Sequence, residues 1–587
     1  MNYKEKTMKY RHFFSLWILM FMLFSACTPS SQAETSSIRE ESSVIEESSA
    51  AEESAASALV SSEDGVLIAL GGDSVQCASD AVQIQDRTVT ITDEGAYILS
   101  GTLEDGMIIV DAEKTDTIQI ILDGAVISHQ DSAALYVRKA EHVYITTAQG
   151  SENTLSNGGT YAAIDDNNID SVIFSKSDLT LSGTGTLTLE AAAGHGVVSK
   201  DDLIVAGGTY VIDSAQHALS GKDSIQITDG VFRLTAGSDG IHAENNDDDS
   251  LGSLYIEGGD FEITAGGDGL SAGNTLEILN GTFTITTASG GDTTSIKGIK
   301  AAQTLTIRDG SFVLNCEDDA LHSNGDILIS GGSFRIASGD DGMHADGNLS
   351  ITAGTIEITE SYEGIEGQSI DISGGTITLK ASDDGLNAAG GNDESGFGGF
   401  GGGFGQDMFA VDENAYIQIS GGTLIIDASG DGIDSNGSIT VSGGEVYVSG
   451  PVDGANGALD FASEATISGG VFIAAGSSQM AENFGTSSTQ ASMLLTLSSQ
   501  SAGTTITLTD GSGQTLVSFT AEKAFNSVVI SCPDLTVGET YTLSAGSYET
   551  DISLSSLIYG SGQQMGGMPG SPGSMGMGNM PGGGPRR

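Results

Sequence analysis

Residues 327–345 read Ile-Leu-Ile-Ser-Gly-Gly-Ser-Phe-Arg-Ile-Ala-Ser-Gly-Asp-Asp-Gly-Met-His-Ala, and this stretch decides the fold. Apolar and polar residues alternate on both sides of the Gly-Gly pair, which predicts two short β-strands. A further apolar residue, Met343, stands eleven residues after Gly332. One such unit therefore offers three inward-facing segments, none of which has a helical period.

The unit repeats from about residue 183, and each copy carries one glycine that closes a turn. These glycines are Gly208, Gly230, Gly259, Gly281, Gly310, Gly332, Gly354, Gly375, Gly422, Gly444 and Gly470. Their spacings are 22, 29, 22, 29, 22, 22, 21, 47, 22 and 26 residues, so a 22-residue unit with loop insertions accounts for most of them. A period of this length is typical of a solenoid.

The repeat predicts an all-β protein, a right-handed parallel β-helix with about 22 residues per coil over residues 65–490. The composition agrees, because 83 glycines and only 6% aromatic residues suit layers that bury small aliphatic side chains. Residues 491–550 lose the period. Their alternating runs predict a small antiparallel β unit that caps the open end of the helix.

The two ends of the chain predict targeting and linker segments. Residues 1–27 join a basic start to an apolar stretch that ends at Cys27, the pattern of a bacterial lipoprotein signal with a lipidated cysteine. An ordinary signal peptide and an uncleaved anchor are the alternatives, and all three predict an extracellular protein. Residues 28–64 predict a disordered acidic Ser/Glu linker, and residues 551–587 a disordered Gly/Met/Pro tail.

The charge limits the choice of partners. The chain has 79 acidic and 21 basic residues, for a formal charge of −58. Such a charge repels nucleic acid, whose binding requires Lys and Arg to neutralise phosphates, and favours cations. The three cysteines after Cys27 are widely spaced, which argues against a disulfide framework. We expect a monomer that contacts a membrane only through its lipid anchor.

Two rows of polar residues follow the repeat. The first row stands nine residues after each glycine and comprises Asp239, Asp268, Asp319, Asp341, Glu363, Asp384, Asp431 and Asp453. The second row stands twelve residues after it and comprises His242, Ser271, His322, His344, Glu366, Asn387, Asp434 and Asn456. A further acid often precedes the first row, namely Asp318, Asp340 or Asp383.

Stacked coils would hold these carboxylates about 4.8 Å apart, where like charges repel by about 1 kcal/mol or more. Calcium between them would remove that cost, because carboxylate oxygens are its preferred ligands. We predict as calcium ligands Asp239, Asp268, Asp318, Asp319, Asp340, Asp341, Glu363, Glu366, Asp383, Asp384, Asp431 and Asp434. The alternative is a solvated, calcium-free corner, since Asp-Gly is also an ordinary turn sequence in which glycine accepts a positive φ.

One unit breaks the acidic pattern. After a seven-residue insertion, Lys297 falls in the first row and Lys300 in the second. The two lysines could neutralise neighbouring carboxylates, pair with the carboxylate of a uronic acid sugar, or supply a catalytic base. His322 and His344 are poor calcium ligands, so we expect them to form hydrogen bonds along the row or to contact a ligand.

A glycine-rich stretch at residues 390–415 carries several phenylalanines. Their rings could stack on sugar faces, or the stretch could be a disordered flap. The predicted carbohydrate-binding residues are therefore His322, His344, Lys297, Lys300, Phe400 and Phe404.

The elements Ile329–Phe334 and Asp340–Ala345 resemble those of a family of carbohydrate-binding β-helix lipoproteins from cellulose-degrading clostridia. The resemblance covers roughly residues 66–550. It implies a pectate-lyase-like fold, calcium sites at Asp340, Asp341 and equivalent positions, and binding of cellulose and acidic sugars without established lyase activity.

Three functions follow from these observations. The first is calcium-dependent, non-catalytic binding of a polysaccharide, either polygalacturonate-like or cellulose, at the bacterial cell surface. The second is a pectate-lyase-like enzyme in which calcium acidifies a sugar proton and Lys297 or Lys300 removes it. The third is a structural surface adhesin with a merely solvated acidic row.

Overall fold

A computed structural model describes residues 65–288, 295–388 and 411–560. All regular secondary structure in these ranges is β-strand, and most strands pair in parallel. The predicted all-β class is therefore confirmed, whereas the right-handed winding stays a prediction. Among the described residues, none forms a helix with the length and apolarity that crossing a membrane requires. The predicted segments 1–27 and 28–64 lie outside the described residues, as do Cys27, Phe400 and Phe404.

Three ladders of parallel strands build the structure, and some strands run through a corner and belong to two ladders. The first ladder contains Val66–Gly72, Gly95–Leu103, Thr117–His129, His142–Thr147, Asp178–Gly183, Asp202–Ser214, Ser224–Ala236, Ser253–Ile256, Thr275–Ile278, Thr304–Ile307, Asp326–Ile329, Met343–Ile351, Ile365–Ile372, Tyr416–Ile419, Ser438–Val441 and Ala465–Ile467. The second continues from Thr117–His129 through Glu152–Asn157, Thr186–Ala191, Asp202–Ser214, Ser224–Ala236, Asp260–Ala265, Thr282–Thr287, Ser311–Cys316, Ser333–Ser338, Thr355–Glu360, Thr376–Ala381, Thr423–Ala428, Glu445–Ser449 and Val471–Gly476. The third contains Thr88–Ile91, Met107–Asp111, Leu135–Lys139, Ser171–Ser175, His195–Ser199, Leu219–Gly221, Ile241–Ala243, Leu270–Ala272, Ile299–Ala301, Leu321–Ser323, Met343–Ile351, Ile365–Ile372, Leu386–Ala388, Ile433–Ser435 and Asp460–Phe461.

The ladders extend further towards the N-terminus than the visible repeat. Parallel pairing begins with Val66–Gly72 against Gly95–Leu103, well before residue 183. The units are irregular in length there, since His142 pairs with Asp178, and this irregularity hides the period in the sequence. Two short strands, Val75–Gln76 and Val82–Gln85, add antiparallel pairs at the start.

The core is formed by apolar side chains from all three ladders. In the second ladder the rings of five phenylalanines stack with centroids 4.5–4.9 Å apart, namely Phe232, Phe261, Phe283, Phe312 and Phe334. Each ring lies against a turn glycine. Gly332 has a φ of 94°, and a Cβ there would lie 3.1 Å from the Phe334 ring. Only glycine combines that backbone conformation with so close an approach.

Removing one ring from this stack should destabilise the fold. Phe283 is fully buried and stacks on both Phe261 and Phe312. We expect Phe283→Leu to lower the free energy of unfolding by about 1–3 kcal/mol, because two aromatic contacts are lost. Val313 is 45% exposed, so Val313→Ala is the matched control and should change it by less than about 0.5 kcal/mol. Urea unfolding monitored by circular dichroism measures both, and equal effects would contradict the prediction.

Antiparallel pairing takes over near the C-terminus. Val471–Gly476 pairs antiparallel with Phe525–Ser531, which also pairs with Ser492–Gln500. A separate four-stranded antiparallel sheet contains Thr505–Thr509, Thr515–Thr520, Thr540–Ala545 and Tyr548–Ser553. This antiparallel region lies where the sequence predicts a small β unit.

The predicted boundary at residue 550 is wrong. Tyr548–Ser553 crosses it, and Ile558–Tyr559 pairs with the strand Ser492–Gln500. The physical reason is burial, because Ile552 and Leu554 pack into the C-terminal apolar cluster. The remainder of the predicted tail, residues 561–587, lies outside the described residues.

Candidate functional site

The second row lies along the third ladder. Parallel register aligns its members one strand apart, in the order His242, Ser271, Lys300, His322, His344, Glu366, Asn387, Asp434 and Asp460. Asn456 does not belong to the row, because Asp460 pairs with Asp434 in its place. The last unit has 26 residues between its glycines instead of 22, and the four extra residues shift the count.

The first row holds the corner backbone together. Asp239 Oδ1 accepts a hydrogen bond from the Asp268 backbone N–H at 2.8 Å, and Asp341 Oδ1 accepts one from Glu363 N–H at 3.2 Å. The same bond recurs along the row, and at its far end Asp431 Oδ1 accepts the Gly457 N–H. Buried backbone donors require such partners. The acidic residues that recur in the first row therefore have a structural role. Asp453 lies outside the row, because Gly457 takes its position.

The unit with Lys297 in the first row shows how strongly the buried backbone N–H groups require an acceptor. Lys297 has no carboxylate to accept the N–H of Asp319, and Asp318 Oδ1 accepts it instead at 3.0 Å. The Lys297 ammonium then lies 3.1 Å from Asp318 and 2.6 Å from Asp319. The doubled acid thus replaces a missing acceptor and binds the lysine. Asp340 lies in one group of carboxylates with Asp318 and Asp319, the two residues that bind the Lys297 ammonium.

Glycine in the Asp-Gly pairs is required for close approach and not for a left-handed turn. Gly342 does not have its φ in the left-handed region. A Cβ on Gly342 would lie 2.6 Å from the carbonyl oxygen of Gly364 in the next unit. The sequence interpretation of Asp-Gly as a positive-φ turn is therefore wrong at this position.

Asp residues of the first row use their second carboxylate oxygen, Oδ2, to contact side chains of the second row. Asp239 Oδ2 lies 2.7 Å from His242 Nδ1, and Asp319 Oδ2 lies 2.9 Å from His322 Nδ1. Burial alone would lower the pKa of His242, but hydrogen bonds with Asp239 and Glu244 outweigh it and raise the pKa to about 9. Side-chain cations thus neutralise this part of the site.

Two histidines of the first row were missed in the sequence. The Nδ1 atom of His195 accepts the His217 N–H at 3.2 Å, and His217 Nδ1 accepts the Asp239 N–H at 3.1 Å. Burial lowers the pKa of His195 to about 3 and of His217 to about 4, so both are neutral acceptors. Each stands two residues before a buried third-ladder residue, the same offset as Asp239 before Ile241. A search for that offset, and not for acids, would have found them.

The C-terminal part of the rows is different because it contains only oxygen ligands. Carboxylate oxygens of Asp384, Asp431 and Asp434 lie within 4.8 Å of one another. Burial and the repulsion of neighbouring carboxylates, including Asp460, raise the pKa of each to about 7. Asn387 is 7% exposed, and its Oδ1 has no hydrogen-bond partner in the described part of the chain. Within the described part of the chain, no lysine, arginine or histidine forms an ion pair with these three carboxylates.

Asn387 lies one strand from Asp434 of this cluster. Its Nδ2 donates to Glu363 Oε2 at 2.8 Å in the preceding unit. Strand register places Asn387 between Glu366 and Asp434. Burial and the nearby Glu366 charge raise the pKa of Glu363 to about 9. Of the remaining predicted ligands, Asp268 pairs with Lys300 at 3.8 Å. Among the described residues, Asp383 does not lie in a group of three or more side chains that could hold a metal ion.

Most predicted carbohydrate contacts are buried. The side chains of His322 and His344 are 5% and 0% exposed, and that of Lys297 is 9% exposed. The prediction that these three side chains contact a polymer directly is therefore wrong for this structure, because neighbouring carboxylates cover them. Lys300 is 27% exposed and lies 3.0 Å from Ser295 Oγ, so it alone of the four can reach a ligand.

The fold and the rows define an all-β protein of stacked parallel strands with an acidic corner. A family model described as "Carbohydrate-binding domain-containing protein" matches residues 85–342 and 340–540, and the chain belongs to this family.

Two known proteins are similar to parts of the chain. A carbohydrate-binding domain-containing protein of Acetivibrio thermocellus is 33% identical over 159 residues, which are 27% of this chain and 56% of that protein. The chain thus matches about half the length of this curated relative. The solved structure of a polysaccharide lyase-like protein from C. thermocellum, a gadolinium derivative, is 32% identical and covers 41% of this chain and 96% of its own, with a TM-score of 0.39.

Proposed function

We propose that this protein binds polysaccharide at the bacterial cell surface in a calcium-dependent manner, without cleaving it. Polysaccharide binding is supported by the carbohydrate-binding family model, which matches most of the chain. The proposal includes the right-handed β-helix with about 22 residues per coil, its antiparallel C-terminal cap, and a lipid anchor at Cys27. The expected ligand is polygalacturonate-like or cellulose.

The calcium proposal rests on the cluster of Asp384, Asp431 and Asp434. Three carboxylates meet there, and strand register places Asn387, whose amide oxygen has no hydrogen-bond partner among the described residues, next to Asp434. Calcium takes six to eight oxygen ligands and accepts Asp and Asn side chains together. These residues would hold the ion, which would supply positive charge for a sugar carboxylate or hydroxyl. Elsewhere along the rows, lysine and histidine already supply that charge, so we restrict the proposed calcium binding to the C-terminal part.

The lyase alternative lacks a suitable base at Lys297. Burial would lower the pKa of this lysine, but its contacts with Asp319 and Asp318 outweigh burial and raise the pKa above the usual range. Lys297 therefore stays protonated at the pH where a base would have to act. Lys300, partly exposed and close to Ser295, is better placed to pair with a uronate carboxylate.

Binding to polygalacturonate tests the proposal directly. We expect the chain to be retained on immobilised polygalacturonate in calcium and released by EGTA, with no unsaturated product in the ultraviolet absorbance. Asp434→Asn should weaken calcium-dependent retention at least about tenfold, because it removes a charged ligand. Cellulose pull-down in the same buffers distinguishes the two expected polymers.

Asp453→Asn is the matched control for that experiment. Asp453 is close in sequence and exposed, and its Oδ1 accepts a local hydrogen bond from the Ala455 N–H. Retention should be unchanged in this variant. Retention that is equally strong in EGTA would contradict calcium dependence, and a rise in absorbance at the unsaturated product's band would support the lyase.

A further inference from the structure

One buried group in the middle of the rows combines nitrogen and oxygen ligands. His344 Nδ1 lies 3.1 Å from Asp341 Oδ2 and 2.6 Å from Glu366 Oε2. All three side chains are buried, and Glu366 as a whole is 4% exposed. The group is separate from the all-oxygen cluster at Asp384.

The contacts of His344 leave one carboxylate oxygen unsatisfied. A single N–H at Nδ1 cannot point at both oxygens, and the hydrogen bond runs to Asp341. Glu366 Oε2 is buried and forms an ion pair with the imidazole, but it accepts no well-oriented hydrogen bond from a described residue. An unsatisfied buried carboxylate oxygen is costly, and a cation at the point where the three atoms converge would satisfy it.

The geometry suits a transition metal. Two ligand atoms about 2.1 Å from a tetrahedral zinc are about 3.4 Å apart, so binding would widen the His344–Asp341 separation by about 0.3 Å and the His344–Glu366 separation by about 0.8 Å. On the other side of the ring, His344 Nε2 lies 3.2 Å from Asp346 Oδ1. A carboxylate that accepts the second ring N–H is the usual support of a metal-bound histidine, because it fixes the ring orientation.

We infer that Asp341, His344 and Glu366 bind a divalent transition metal of the zinc class, oriented by Asp346. Imidazole nitrogen favours zinc, cobalt or nickel over calcium. This metal site is independent of the proposed calcium cluster and has a structural role, since its ligands are buried.

Cobalt provides the probe, because its visible absorption reports ligation directly. The full chain is unfolded with chelator, refolded with Co²⁺ in excess Ca²⁺, and desalted. We expect one cobalt ion per chain, with visible bands that Glu366→Gln and His344→Gln abolish. Asp346→Asn should weaken cobalt affinity about tenfold, the usual effect of losing such a supporting carboxylate.

His322→Gln is the matched control. His322 is buried and bonded to Asp319 in the same way, but its register neighbours are Lys300 and His344, which offer no second carboxylate. Cobalt should be retained by this variant. A wild-type chain without bound cobalt would overturn the inference, as would undiminished cobalt in Glu366→Gln, which decides the matter even if His344→Gln fails to fold. Calcium-dependent polygalacturonate retention, measured separately, would be unaffected by either result.

Discussion

Calcium should stabilise the protein far more at pH 8 than at pH 5. In the metal-free protein, burial and mutual repulsion raise the pKa values of Asp384, Asp431 and Asp434 to about 7. At pH 8 the three carboxylates are ionised and ready to bind the ion. At pH 5 they hold protons that calcium must displace. At a hundredfold excess of free calcium over the dissociation constant, one site adds about 2.7 kcal/mol to the free energy of unfolding.

The metal-free protein should show the opposite dependence on pH. An unfolded Asp has a pKa of about 3.9, so between about pH 4 and pH 7 the folded cluster keeps protons that the unfolded chain has lost. The folded state binds more protons in that window, and stability therefore falls as the pH rises through it and levels off above it. In saturating calcium this decline should largely disappear.

Thermal unfolding in EGTA and in calcium, at pH 5 and pH 8, measures both effects. Asp434→Asn should reduce the calcium response at pH 8 and flatten the metal-free pH dependence, while Asp453→Asn should behave like the wild type. An unfolding temperature that calcium leaves unchanged at both pH values would contradict the calcium cluster. It would favour the adhesin alternative, in which the acidic corner is merely solvated.

The second row could be read from the sequence as far as Asp434. Its members stand twelve residues after the turn glycine except in the unit of Gly281, where a seven-residue insertion lies inside the counted interval and the motif Lys297-Gly298-Ile299-Lys300 still reveals the position. The rule fails at Asn456, where four extra residues lie inside the interval and Asp460 takes the position. In that unit the pair Asp453-Gly454 stands at the expected distance from the glycine and hides the insertion.

The burial of the rows could not be predicted. Strand alternation turns His344 outward, which suggests solvent exposure. In the structure Asp341, Glu366 and Asp346 surround the ring and its side chain is 0% exposed. Long-range contacts of this kind depend on side-chain orientation across neighbouring strands. For the same reason the sequence predicted calcium ions shared along the rows. The structure instead shows hydrogen bonds from backbone N–H groups to the carboxylates, and lysine and histidine side chains supply the positive charge along much of the rows.

Lys297→Met should be among the most destabilising substitutions in the protein. Lys297 is 7% exposed and contacts Asp319, which is 1% exposed. Removal of the ammonium leaves a buried carboxylate with His322 as its remaining described ion-pair partner. Breaking a buried ion pair in this way costs about 3–5 kcal/mol. Arg335 and Glu357 form a pair in which both side chains are more than half exposed, so Arg335→Met should cost no more than about 1 kcal/mol.

The pH dependence separates loss of this ion pair from loss of packing. Burial would raise the pKa of Asp319, but the hydrogen bond with His322 and the charge of Lys297 outweigh it and hold the pKa below its usual range. That stabilisation is present above about pH 4, the pKa of an unfolded Asp, and is lost as the pH falls through the lower folded value. The difference between wild type and Lys297→Met should therefore be large at pH 7 and shrink in acid. Adding Asp319→Asn to the variant should recover part of the stability, because the most deeply buried of the carboxylates that lost the ammonium is then uncharged. The decrease in the free energy of unfolding could be as small in Lys297→Met as in Arg335→Met, or it could be independent of pH. Either result would show that the carboxylates stabilise this corner without the lysine.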